Sequence, residues 1–221
     1  MRSDLRKYLF EGIGTMFLVL VFSMSGSPIA TGAIFAVLVY LGKEVSGGNY
    51  NPAISLAMWM RGKLKKVDMW FYILSQVMGG FFAALIYFVI STKRYYPTPL
   101  AWVAYWKLFM LEVTFTFFLC YVFLTVMTSK KFKGEHTNSL MVGLALASIV
   151  FLGVTFNPAI SIGPAAFDFL SMGDSFITSL KYAPVNVLGA FSGGALAAVA
   201  FNYLNVDETV KKTTRRKKST T

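Results

Sequence analysis

Apolar residues in this chain gather into six stretches, running from about Tyr8 to Ser27, Pro28 to Val45, Val67 to Ile90, Ala104 to Thr128, Asn138 to Gly153 and Tyr182 to Asn205. Each approaches the length of about 20 residues that covers a bilayer core. Lipid offers no partner to backbone N–H and C=O groups, so each segment must bond its own backbone as a helix. A membrane barrel would alternate polar and apolar residues instead. The fold class that follows is an all-α polytopic membrane protein. Composition agrees: 56% of the 221 residues are hydrophobic and 14% charged, with a mean hydropathy of +0.59, whereas soluble domains are about a quarter charged. Glu11 lies inside the first stretch and no small-residue cleavage site follows it, so that stretch reads as a retained span rather than a signal peptide.

The net charge of +11 is distributed by side. With six spans and the N-terminus inside, 17 Lys and Arg residues fall on the cytoplasmic side and 4 outside, which places both termini in the cytoplasm. The basic tail, 206–221, with its cluster from Lys211 to Lys218, fits a juxtamembrane segment drawn to anionic lipid. Its position beside the bilayer argues against nucleic acid as a partner. The single Cys120 excludes an intramolecular disulfide, and His136 has no companion at metal-ligand spacing. The intramembrane polar residues are two isolated acids, amides and hydroxyls, without a nucleophile, base or metal grouping. Neither an enzyme nor a cofactor is expected.

The chain repeats itself. Glu11-Gly12-Ile13-Gly14-Thr15 opens the first span, and Asn51-Pro52-Ala53-Ile54-Ser55 follows the second. Glu112-Val113-Thr114-Phe115-Thr116 opens the fourth, and Asn157-Pro158-Ala159-Ile160-Ser161 follows the fifth. Glu and Asn are 40 residues apart in one half and 45 in the other. Residues 1–205 therefore read as one membrane domain built from repeats at about 8–91 and 104–205. Three spans per repeat is an odd number, so the second crosses in the opposite sense, and sites in inverted repeats lie near the midplane.

Each Asn-Pro-Ala has the features of a helix start: Asn as N-cap, and Pro at the first position, where its missing N–H costs nothing. The apolar segments that follow, Ile54 to Met60 and Ile160 to Phe167, are too short to span and read as re-entrant half-helices. Two such helices meeting by their N-termini join two positive dipole ends and two side-chain amides. Carbonyls of Ser46 to Tyr50 and Gly153 to Phe156 are then available as acceptors along a pore. Cations meet a barrier there, while a neutral solute that accepts a hydrogen bond passes.

These residues, together with Ser46-Gly47-Gly48-Asn49-Tyr50, Gln76-Val77-Met78-Gly79-Gly80 and Ile162-Gly163-Pro164-Ala165, resemble the aquaporin, or major intrinsic protein, family over nearly the whole chain. The resemblance implies six tilted transmembrane helices and two re-entrant half-helices around one pore per protomer, in a homotetramer, with the plasma membrane as the expected location. It implies that Asn51, Pro52, Ala53, Asn157, Pro158 and Ala159 form the pore motifs. Glu11 and Glu112 correspond to buried acids that brace the re-entrant loops. Gly14, Gly32, Gly79, Gly80, Gly143, Gly189, Gly193 and Gly194 fit close helix packing.

The chain departs from the family at the expected outer constriction. Ile160 stands where family members usually carry Arg. Ungapped spacing from each Asn gives Thr31, Ala145 and Val154 as the other constriction residues, small where the family is bulky. An uncharged, wider filter is expected, tolerant of glycerol and urea as well as water. Ser161, where many glycerol-conducting relatives carry Asp, points instead toward a water-selective channel. Asn49 replaces an inner-loop His, and Ala190 a Pro. Two other readings stay open: a weakly conducting structural protein plugged by Tyr50, Phe35, Phe151 or Phe156, and an ion-conducting variant.

Overall fold

The computed structural model describes residues 2–97, 103–173 and 176–205; the basic tail at 206–221 lies outside them. Among the described residues the regular structure is helical: α1 (Arg2–Ser25), α2 (Pro28–Gly42), α3 (Pro52–Met60), α4 (Lys66–Ser91), α5 (Tyr105–Thr128), α6 (Asn138–Val150), α7 (Pro158–Leu170) and α8 (Phe176–Leu204), with one 3-10 turn at Lys130–Phe132. The expected six spans and two half-helices are all present.

Four helices, α1, α4, α5 and α8, are long and apolar enough to cross a membrane. The other two spans are shorter than expected: α2 has 15 residues and α6 has 13, or about 20 Å of rise each. They end before Val45 and Gly153 because the chain turns back early. Gly47 and Gly48, with φ of 94° and 67°, and Gly153, with φ of 67°, take left-handed backbone that a side chain would resist. The residues beyond them run back into the bundle without regular structure.

Apolar side chains such as Ile29, Val89, Trp106 and Leu170 cover the outside of the bundle. Lipid in place of water is what makes such a surface stable. Inside, α1 packs on α4, α5 on α8, and α2 on α6. The α2–α6 crossing is close enough that a Cβ on Gly32 would collide with the Gly143 carbonyl, and one on Gly143 with the Gly32 carbonyl. The half-helices are exchanged between repeats. α3 of the first lies on α8 of the second, with Gly194 under the Ala53 carbonyl; α7 of the second lies on α4 of the first, with Gly80 under the Ala159 carbonyl.

Candidate functional site

The site grows from two residues that precede the half-helices. Tyr50 and Phe156 hold φ of 49° and 51°, a left-handed backbone that bulky residues rarely adopt. Each peptide is held on both sides. The Tyr50 N–H donates to Glu11 Oε2 at 2.7 Å and the Phe156 N–H to Glu112 Oε2 at 3.0 Å. The carbonyls face the other way: Tyr50 accepts from Asn157 Nδ2 at 3.0 Å, and Phe156 from Asn51 Nδ2 at 2.8 Å. Each asparagine is thus tied to the opposite repeat.

Asn51 and Asn157 also cap their own helices, accepting at Oδ1 from Ala53 N at 2.8 Å and Ala159 N at 3.0 Å. A primary amide has two N–H bonds. One of each pair is donated across the midplane, and the second has no partner among the described residues. Both asparagines line the same internal chamber.

The two acids are fully buried and accept from loop donors. Glu11 takes Ser46 Oγ at 2.6 Å, Asn49 N at 3.0 Å and Gln76 Nε2 at 2.8 Å besides Tyr50 N. Glu112 takes Thr155 N at 3.0 Å and Thr155 Oγ1 at 2.8 Å besides Phe156 N. Buried carboxylates persist where such donors replace water.

The chamber has a volume of ≈ 10 Å³ for the centre of a water molecule, at the threshold for holding one water. Its polar lining is Asn51, Asn157, Thr31 and Thr155; the rest is apolar, including Leu18, Phe35, Leu119, Leu146 and Ile160. Beyond it lies a vestibule of ≈ 290 Å³ bordered by Tyr95, Tyr96, Pro97, Gly153 and Val154. Phe22, Thr31, Val150 and Thr155 line both spaces and therefore form the neck between them.

The four positions carried over for the constriction are spread along this path. Thr31 is at the neck, Val154 borders the vestibule and Ile160 the chamber. Ala145 is buried but borders neither, and α6 contributes Leu146 and Val150 in its place. Ungapped spacing along α6 misses the lumen face by one residue. Two bulky rings, Phe22 of α1 and Phe35 of α2, are among the residues lining the chamber, which is smaller than small side chains at the carried-over positions suggest. Among the aromatic plugs considered, only Phe35 lines the chamber. Tyr50 donates its hydroxyl to the Leu38 carbonyl at 3.0 Å, Phe156 sets its ring at 6.1 Å from Phe115, and Phe151 is 69% exposed.

An ion pair beside the vestibule went unread in the sequence. Arg94 donates to Asp168 Oδ1 at 3.1 Å, to Ser171 Oγ, and to the Ser171 carbonyl at 3.2 Å. Its guanidinium lies 5.2 Å from the Phe88 ring centre. This anchors the loop that continues into Tyr95 and Tyr96 against the end of α7. Tyr95 packs edge-on to Phe22 at 6.3 Å and Tyr87 at 5.7 Å, and burial pushes its hydroxyl well above the usual phenol range, so it stays neutral. The available signal was Asp168, the one acid in an otherwise apolar half-helix.

Comparison with known proteins agrees with this architecture. Residues 2–203 match the family model described as Major intrinsic protein. The chain is 31% identical over 214 residues to Glycerol uptake facilitator protein-like 6 of Lactiplantibacillus plantarum, covering 88% of this chain and 95% of that one. It is 26% identical over 188 residues to Aquaporin AqpM of Methanothermobacter thermautotrophicus, covering 80% and 75%. The solved structure of the aquaglyceroporin from Plasmodium falciparum superposes with a TM-score of 0.76 at 19% identity, covering 94% of this chain and 99% of that one.

Proposed function

Since this chain belongs to the major intrinsic protein family and is an integral membrane channel for water or small solutes, we propose that it passes water and other water-sized neutral molecules passively, with glycerol and urea crossing more slowly. One observation carries this reading: Asn51 and Asn157 each spend one N–H across the midplane and keep the other for a chamber with room for about one water. In this reading Asn51, Pro52, Ala53, Asn157, Pro158 and Ala159 are the central site, Glu11 and Glu112 brace it, and the constriction is the neck with Phe35 below it.

A water at the asparagine pair accepts from both amides, so its hydrogens point away along the lumen. Two helix N-termini add positive potential at the same point. Both features oppose cations and protons. Residues 1–205 act as one channel domain, and 206–221 as a tail at the inner leaflet. The charge distribution supports cytoplasmic termini. A homotetramer in the plasma membrane rests on the family resemblance.

Osmotic shrinkage of vesicles carrying the full chain tests the reading. Water permeability is expected well above that of empty vesicles, with little glycerol or urea flux. Phe35→Ala is expected to raise glycerol and urea flux roughly tenfold, a barrier change of about 1.4 kcal/mol, with little change for water. Wild-type glycerol flux matching water flux would show that Phe35 does not limit the path.

A further inference from the structure

We infer that the outer face of the α1–α4 pair holds one anionic phospholipid of the inner leaflet, its acyl chain in an apolar groove between the two helices and its headgroup among the cations at their cytoplasmic ends. The site depends on the cytoplasmic placement of the termini proposed above and not on what the pore passes.

The groove has a volume of ≈ 310 Å³ and follows α1 from Tyr8 to Met16 and α4 from Leu74 to Phe82, about 12 Å along each helix. Its rims are long side chains, Leu9 and Ile13 on one side and Leu74, Met78 and Phe82 on the other, 43% to 58% exposed. Its floor is Gly12, Ser75 and Gly79. There the two helices already touch: a Cβ on Gly79 would strike the Gly12 carbonyl, and one on Gly12 would lie 3.1 Å from the Ser75 carbonyl. The small residues are used up by that crossing, and what is left outside is a trough between two ridges.

The foot of the trough is polar and basic. Tyr8 donates to Asp68 at 2.7 Å and stacks on Phe71 at 4.9 Å. Lys7 reaches Asp68 at 3.4 Å and Asp4 at 3.0 Å. These contacts set the start of α1 beside the start of α4, so the exposed Arg6, Lys65 and Lys66 stand at one level below the groove. Residues 2–8 and 65–68 hold five cations and two acids, and the foot is left positive. A second copy of the chain suits it poorly. Copies share one orientation in a membrane, and 17 of the 21 Lys and Arg residues are on the cytoplasmic side, so a neighbour would bring like charge to this level. An anionic headgroup brings the opposite charge. Gly12 and Ser75 are the chain neighbours of Glu11 and Gln76, whose side chains meet at 2.8 Å where Glu11 holds the Asn49 and Tyr50 N–H groups. A seated acyl chain therefore supports, from outside, the crossing that carries the first buried acid.

The test places a fluorescent label on the full chain at Ile13→Cys, on the groove rim, or at Val199→Cys, on the exposed face of α8; Cys120 is buried. In phosphatidylcholine vesicles, quenching by a small fraction of brominated phosphatidylglycerol or brominated phosphatidylcholine reports which lipid lies against the label. At position 13 the phosphatidylglycerol is expected to quench at about tenfold lower mole fraction, and at 199 the two are expected to be equal. Arg6→Gln and Lys66→Gln are each expected to weaken the preference about fivefold, the worth of one cation beside an anionic headgroup, while Lys131→Gln with Lys133→Gln leaves it unchanged. Equal quenching at 13 overturns the inference. So does the same preference at 199, or its loss with Lys131 and Lys133, either of which shows a general attraction of the inner face. A label at 13 that neither lipid reaches also overturns it and marks the groove as a contact between copies. Both leaflets carry the probe, so the readout does not depend on orientation, and water permeability of the same vesicles tests the channel reading separately.

Discussion

Left-handed backbone at Tyr50 and Phe156 costs about 1 to 3 kcal/mol per residue, and persists because each peptide is bonded on both sides. Glu11 and Glu112 supply one side of that clamp. Glu11→Leu would strand the N–H groups of Asn49 and Tyr50, with a penalty of about 1 to 3 kcal/mol each. Glu11→Gln keeps one acceptor oxygen. Thermal melting followed by size-exclusion chromatography is expected to show the leucine variant collapsing and the glutamine variant surviving with a lower midpoint; equal loss in both would count against the clamp. The acids and asparagines were legible because they recur at matched spacing in two halves. Phe22 and Thr155 were not, because no motif marks the aromatic residue within its span, and Thr155 stands where the first repeat has Asn49, whose side-chain amide turns to Ser55 rather than to the acid.

The half-helices depend on crossings so close that backbone touches backbone. A Cβ on Gly80 would strike the Ala159 carbonyl, and one on Gly163 would strike the Gly80 backbone. Neither contact can yield by rotating a side chain. Gly80→Ala is expected to lower stability by about 1 to 3 kcal/mol and to reduce water flux by displacing Asn157, whereas Gly62→Ala, strained by a φ of 72° but with open space around its Cβ, is expected to lower stability and leave flux per folded channel near wild type. Flux per folded channel separates the two. Helix existence and order were legible from apolar runs and Asn-Pro starts. The early end of α6 was not, because Phe151 and Leu152 carry the apolar run past the helix into the turn, whereas α2 stops where Lys43 and Glu44 interrupt it. The α7 end is fixed differently, by Arg94 on Asp168. Arg94→Met leaves a buried carboxylate without its cation and is expected to cost about 3 kcal/mol; adding Asp168→Leu should restore much of the melting temperature.

At the scale of the molecule, the two repeats are interlocked rather than set side by side, since each half-helix rests on the final long helix of the other. The inverted duplication announced two halves, but an exchange of partners leaves no mark in periodicity or composition. It has a consequence for biogenesis. A chain emerging from the ribosome completes α3 long before α8 exists, so the first half-helix touches α4 and α5 but lacks its main seat until the last span is inserted. Until then Asn51 lacks the Phe156 carbonyl as well. The nascent channel must wait, with a short polar-capped helix held at the membrane, for its own C-terminal end. A chain stopped after α7 is expected to leave the 47–60 segment open to cysteine labelling or proteolysis, and co-expression of 176–221 as a separate peptide is expected to protect it.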